Sequence, residues 1–206
     1  MRHLIDFGDL TRAEWESLYQ RCSDIMDHPA DFMDACRGRV MASLFYEPST
    51  RTNFSFQTAM LRVGGTVFGF ADPKSTSTAK GETLKDTIKI VSNYADVIVM
   101  RTPWEGAAKA ASLYANVPVV NAGDGGHMHP TQTMADLTTI TRLRGKVDDL
   151  SIGLCGDLKN GRTVHSLIKA MAKFNGIKFF LISPRELAVP DYMRAFMREH
   201  EMWFTE

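Results

Sequence analysis

Apolar positions along the chain follow two alternating patterns. Trp15, Leu18, Tyr19 and Cys22 recur at helical spacing, and Thr11-Arg12-Ala13-Glu14 before them is a capping-box pattern, so a first helix is expected to start there. Pro29 interrupts, and a short helical stretch follows to about Ala35. Residues 40–46 form a compact apolar run closed by Glu47-Pro48, as in a buried strand. A helix over 52–63 ends at Gly64-Gly65, and a strand over 66–70 comes next. Residues 72–80, with Pro73 and four consecutive Ser or Thr residues, read as a loop. Leu84, Ile88 and Val91 mark a helix, 97–100 a strand, 105–114 a helix and 117–121 a strand. The glycine-rich segment 123–126 is expected to be irregular. Met134, Leu137, Ile140 and Leu143 line one side of a long helix over 131–143. Strands over 151–155, 177–182 and 202–204 then alternate with helices over 163–174 and 191–200.

Strands alternating with helices imply an α/β class of fold with parallel sheets and helices on both faces. The rhythm comes in two blocks joined by the long helix. Two domains are therefore expected: residues 1–145, ending in the helix over 131–145, and residues 146–206.

Composition narrows the function classes. The 206 residues are 44% hydrophobic and 23% charged, which is ordinary for a globular chain. Lys+Arg and Asp+Glu both number 24, so nothing in the charge balance favours nucleic acid or a membrane surface as partner. An anionic substrate would need a local cluster of cations. Cys22, Cys36 and Cys155 are too few and too scattered for a disulfide framework, as expected of a reducing compartment. Arg2, Asp6 and Asp9 leave no signal-peptide core at the N-terminus, and the apolar run at 97–100 is far short of a membrane span. A cytoplasmic location is the expectation.

In open parallel sheets, ligands bind beyond the carboxyl ends of the strands, and several loops of that kind carry polar side chains. Ser49-Thr50-Arg51-Thr52 lies between a strand and a helix start, where free N–H groups and the helix dipole favour an anion. Its other reading is a Ser or Thr cap with a solvated Arg51. Arg101-Thr102-Pro103 closes the strand over 97–100; Arg101 could clamp an anion there or pair with a neighbouring acid. In His129-Pro130-Thr131-Gln132, the imidazole could donate to a carbonyl oxygen and Gln132 could orient an amide. His127 and His129 beside Asp124 also invite a metal reading, but no thiolate or acidic ligand set completes a zinc spacing, so no metal is expected. Arg162 at a helix start, after Gly156-Asp157-Leu158-Lys159-Asn160-Gly161, could hold a second anionic group or be surface charge. Lys80 ends the Ser/Thr-rich loop, as a solvated residue or as a lid cation.

Taken together these segments resemble the aspartate/ornithine carbamoyltransferase family over nearly the whole chain. Phe45-Tyr46-Glu47-Pro48-Ser49-Thr50-Arg51-Thr52 is similar to the family's carbamoyl phosphate signature, and His129-Pro130-Thr131-Gln132 to its second marker. Lys80-Gly81-Glu82-Thr83 and the run from Gly156 through Arg162-Thr163-Val164-His165-Ser166-Leu167 resemble the aspartate branch rather than the ornithine branch.

The resemblance implies transfer of a carbamoyl group from carbamoyl phosphate to L-aspartate, an early step of pyrimidine biosynthesis, with no cofactor. Ser49, Thr50, Arg51 and Thr52 would hold the phosphate, with Arg101 reaching both phosphate and carbonyl oxygen. Thr52, Arg101 and His129 would polarise the carbonyl and stabilise the oxyanion. Gln132 would bind the carbamoyl nitrogen, and Arg162 an aspartate carboxylate. The loop Lys is donated by a neighbouring subunit in the family, so Lys80 would complete another chain's site within a homotrimer; regulatory chains or pathway enzymes are further candidate partners. The family usually has Ser four residues before that Lys. Here Thr76 stands there between Ser75 and Ser77, which leaves the choice of hydroxyl open, and Asn53 replaces a common Arg. Family members also continue well beyond the length seen here, so the resemblance implies an incomplete second domain and a C-terminally truncated chain. A non-catalytic carbamoyl phosphate-binding or scaffold chain is the alternative from another class.

Overall fold

The computed structural model describes residues 2–73, 76–126 and 128–206. Backbone contacts divide the chain into two compact units. The first comprises Met1–Ile5 and Gln20–His127, the second Asp6–Tyr19 and Met128–Glu206.

The first unit is built on a parallel sheet in the order β2-β1-β3-β4, from β1 (Val40–Phe45), β2 (Thr66–Phe70), β3 (Val97–Thr102) and β4 (Val119–Asp124). Alternation along β1 sends successive side chains to opposite faces. Ala42, Leu44 and Tyr46 join Ile98 and Met100 on one face, packed with Ile88 of α3 (Leu84–Val91) and with Ala108 and Ala111 of α4 (Ala107–Tyr114). Met41, Phe45 and Val99 point the other way, onto Met60 of α2 (Thr50–Arg62). Helices thus cover both faces, as the unbroken apolar runs of β1 and β3 require.

Local expectations need correction at three places. The glycine-rich segment is not wholly irregular, because β4 continues through Gly123 to Asp124. The β3–β4 register shifts between Met100 and Thr102, and Gly123 takes φ 121° at that irregularity, a conformation glycine adopts without a side-chain clash. The stretch after Pro29 is a 3-10 turn over Pro29–Phe32, and the Ser/Thr-rich loop also holds a 3-10 turn at Ser77–Lys80.

The capping box forms as the sequence predicts. Glu14 Oε2 accepts from the Thr11 backbone N–H at 2.8 Å, and Thr11 Oγ1 accepts from Glu14 N–H at 3.2 Å, at the start of α1 (Arg12–Asp27).

The second unit has a three-stranded parallel sheet, β5 (Ser151–Cys155), β6 (Lys178–Ile182) and β7 (Trp203–Thr205), with α5 (Pro130–Arg144), α6 (Arg162–Met171) and α7 (Asp191–Glu199). α5 and the turn at Phe7–Asp9 both contact α6. Arg12 makes a two-pronged bond to Asp148 at 2.9 and 2.6 Å and lies over the Phe174 ring at 5.2 Å. Strand β6 alternates buried Phe179 and Leu181 with exposed Phe180 and Ile182. Among the described residues no helix is long and apolar enough to cross a membrane.

Candidate functional site

In the first unit, pairing of β1 with β3 sets Phe45 opposite Arg101, and the Tyr46 N–H donates to the Arg101 carbonyl at 2.8 Å. The carboxyl ends of both strands therefore finish at one level. The Arg101 side chain is only 12% exposed; its Nε donates to Glu47 Oε1 at 2.6 Å, and its Nη1 reaches Thr52 Oγ1 at 3.4 Å. So Arg101, Glu47 and Thr52, from two strand ends and the first turn of a helix, meet in one cluster.

Ser49 stands at the N-cap of α2, yet its hydroxyl makes no capping hydrogen bond, and no acidic residue lies in the helix's first turn. The cap reading of this serine does not hold. What remains is an uncapped helix N-terminus and the Thr52 hydroxyl beside a guanidinium paired with Glu47, an edge whose backbone and hydroxyl donors suit an anion and whose carboxylate competes with it. Arg51 is exposed on that first turn. Glu47 is the residue that sequence reasoning left without a role. Its place next to the hydroxyl-rich segment was visible, but only the β1–β3 register reveals that its carboxylate meets Arg101.

Lys80 is exposed at the end of its turn, and the contacts among Arg101, Glu47 and Thr52 are made without it. Of the neighbouring hydroxyls, Thr76 donates to the Pro73 carbonyl at 2.7 Å and Ser77 is exposed, while Ser75 lies outside the described residues. Glu82 Oε1 accepts from Thr87 Oγ1 at 2.7 Å, which ties the segment after Lys80 to α3. Asp124, near His127 and His129 in sequence, is buried and accepts from Gly106 N–H at 2.9 Å and from Asn121 Nδ2 at 3.1 Å. His127 lies outside the described residues.

The second unit holds the remaining predicted residues. His129 is buried at the N-cap of α5, with Thr131 Oγ1 at 3.5 Å from its Nδ1. Its backbone N–H donates to Ser166 Oγ of α6 at 3.4 Å. Gln132 Nε2 donates to Asp136 Oδ1 at 2.9 Å, which fixes the orientation of the amide. Burial raises the Asp136 carboxyl above its ordinary range, and the bond from Gln132 opposes that shift. Arg162 is the first residue of α6 and half-buried. His165 and Ser166, just behind it, are buried residues of the motif over 162–167 whose residue types alone suggest no role. Their contacts run to distant parts of the sequence, so spacing could not reveal them.

Residues 2–142 match a family model described as aspartate/ornithine carbamoyltransferase, carbamoyl-P binding domain. An aspartate carbamoyltransferase catalytic subunit of Clostridium botulinum (strain Eklund 17B / Type B) is 54% identical over 206 residues, spanning 100% of this chain and 67% of its own length. Its counterpart in Clostridium perfringens (strain 13 / Type A) is 55% identical over 193 residues, 94% of this chain and 63% of its own length. Among solved structures, the catalytic subunit of M. jannaschii aspartate transcarbamoylase superposes with TM-score 0.92 at 45% identity, over 99% of this chain and 67% of that one. The Trypanosoma cruzi aspartate transcarbamoylase in complex with carbamoyl phosphate and aspartate gives TM-score 0.91 at 36% identity, over 100% of this chain and 67% of that one. The chain thus spans about two thirds of the length of these relatives.

Proposed function

The chain belongs to the aspartate/ornithine carbamoyltransferase family, and from that premise we propose that it transfers the carbamoyl group of carbamoyl phosphate to the amino group of L-aspartate. The observation that carries this reading is the Arg101–Thr52 contact at the uncapped N-terminus of α2. It supplies a guanidinium, a hydroxyl and free backbone N–H groups where a phosphate dianion needs donors. Ser49, Thr50 and Arg51 on the same turn bind the phosphate in this reading.

The reaction proceeds by attack of the neutral amine on the carbamoyl carbon. A C–N bond forms, the C–O bond to phosphate breaks, the surplus amine proton leaves with the departing phosphate, and the charge that develops on the carbonyl oxygen needs fixed donors. Arg101, Thr52 and His129 take that role, and Gln132 takes the carbamoyl nitrogen. Arg162 takes a carboxylate of aspartate. Donors fixed before the reaction stabilise the oxyanion without reorganising, which is where most of the rate enhancement of such sites arises. The choice of aspartate over ornithine is supported by the names of the relatives and by the segment from Gly156 to Leu167.

The loop carrying Lys80 serves the site of a neighbouring copy in a homotrimer, and its exposed position at the end of a turn is compatible with that. The setting is a cytoplasmic metabolic enzyme.

The test is direct. The chain is incubated with carbamoyl phosphate and L-aspartate, and carbamoyl-aspartate is assayed alongside calorimetric titration of each substrate. Product formation that is lost in Arg101→Ala supports the proposal. Binding of carbamoyl phosphate with no product under any condition would leave a binding chain and overturn the catalytic assignment.

A further inference from the structure

His165 is a buried histidine, 5% exposed, to which the reaction assigns no role. It lies one turn after Arg162 on α6, and residues three apart are neighbours on a helix surface. Its Nε2 is 2.8 Å from the Leu158 carbonyl oxygen, and its Nδ1 is 3.0 Å from the Tyr192 hydroxyl. A carbonyl oxygen can only accept, so Nε2 carries a proton, and the other ring nitrogen, Nδ1, bonds the Tyr192 hydroxyl. The two rings meet edge to face, at 5.8 Å and 85°. Tyr192 is 60% exposed, and its hydroxyl nonetheless bonds inward to a buried ring.

These bonds fasten the segment that delivers Arg162. Asp157 Oδ1 accepts from the backbone N–H groups of Lys159 at 3.1 Å and Asn160 at 2.9 Å, which closes a tight turn. At Gly161 a Cβ would lie 2.6 Å from the Asp157 carbonyl oxygen, so the chain passes too close there for any side chain. Leu158, at the centre of the turn, is buried, and its N–H donates to the Leu187 carbonyl at 3.0 Å. Within this turn His165 is the side chain that reaches back from the helix, and Tyr192 at the start of α7 holds the imidazole from the other side.

We propose that His165 and Tyr192 are positioning residues: their hydrogen-bonded pair clamps the Leu158 turn to the first turn of α6 and so sets the affinity of Arg162 for the carboxylate of the amino-acid substrate. This rests on the assignment of Arg162 to aspartate. The pair touches no substrate; it acts by fixing where the guanidinium starts. A purely structural clamp would change stability without distinguishing between ligands.

Tyr192→Phe is the decisive variant, since it keeps the exposed ring and removes only the hydroxyl. L-aspartate is titrated into the full chain in saturating inorganic phosphate, and phosphate is titrated alone. Loss of one hydrogen bond should weaken aspartate binding about three- to tenfold and leave phosphate binding unchanged. His165→Gln keeps a donor for the Leu158 carbonyl and loses the ring nitrogen that bonds the Tyr192 hydroxyl. It should show the same loss, and the double variant should be no worse than either single one. Aspartate affinity unchanged in Tyr192→Phe, or weakened equally with phosphate affinity, overturns the proposal. If the unaltered chain binds phosphate but not aspartate, the assignment of Arg162 falls and takes this proposal with it. That failure is seen before any substitution is made.

Discussion

Arg101 and Glu47 form an ion pair of 2.6 Å, with side chains 12% and 24% exposed, at the carboxyl end of the first sheet. A guanidinium that is already neutralised resists a second anion, so under the proposed assignment of Arg101 to phosphate the ligand would compete with Glu47. Glu47→Gln should therefore bind inorganic phosphate roughly three- to tenfold more tightly, as calorimetry would measure, while the lost charge-assisted bond lowers stability by about 1–3 kcal/mol. Weaker phosphate binding would mean instead that the carboxylate holds Arg101 in its binding rotamer.

His129→Ala tests the oxyanion role. Removing one such donor commonly lowers turnover by about 100-fold or more. A steady-state assay of carbamoyl-aspartate formation should find that loss, and near-normal turnover would strike His129 from the mechanism.

Asp148 carries a pH signature. The side-chain bond from Arg12, together with the Asn175 N–H, holds its carboxyl below the ordinary range. A depressed folded-state pKa gives stability that is present above the unfolded value of about 3.9 and lost as pH falls through the folded one. Asp148→Asn should thus lower the stability of the second unit by about 1 kcal/mol near neutrality, a modest figure because the pair is part-exposed. The gap between parent and variant in denaturant midpoint should shrink below about pH 4. A gap that persists undiminished in acid would assign the loss to packing.

Gly69 sits in β2 at φ 151°, and a Cβ there would fall inside the Ser43 carbonyl oxygen of β1. Gly69→Ala forces the two strands apart and should destabilise the first unit by about 2–4 kcal/mol in a denaturation experiment. A change within about 0.5 kcal/mol would mean that the β1–β2 pairing readily shifts.

Much of the local structure was legible because its causes are local. Thr11 and Glu14 are three residues apart and cap each other whatever surrounds them. The apolar runs of β1 and β3 could be satisfied only between two layers of helices. The segment 123–126 escaped because its conformation is decided across the sheet: Gly125 N–H donates to the Thr102 carbonyl at 2.8 Å, on another strand. Likewise Ser49 looks like a cap by residue type, and only the folded structure shows that its hydroxyl makes no such bond.

By itself the sequence determined the order of strands and helices and the loops that hold hydroxyls and guanidinium groups. Those follow from periodicity and residue chemistry, which act over a few neighbouring positions. Only the tertiary structure decided that Glu47 pairs with Arg101, 54 positions away, and that Tyr192 closes on His165, 27 away. Such contacts depend on strand register and helix docking, which set atoms within hydrogen-bonding distance regardless of their separation along the chain.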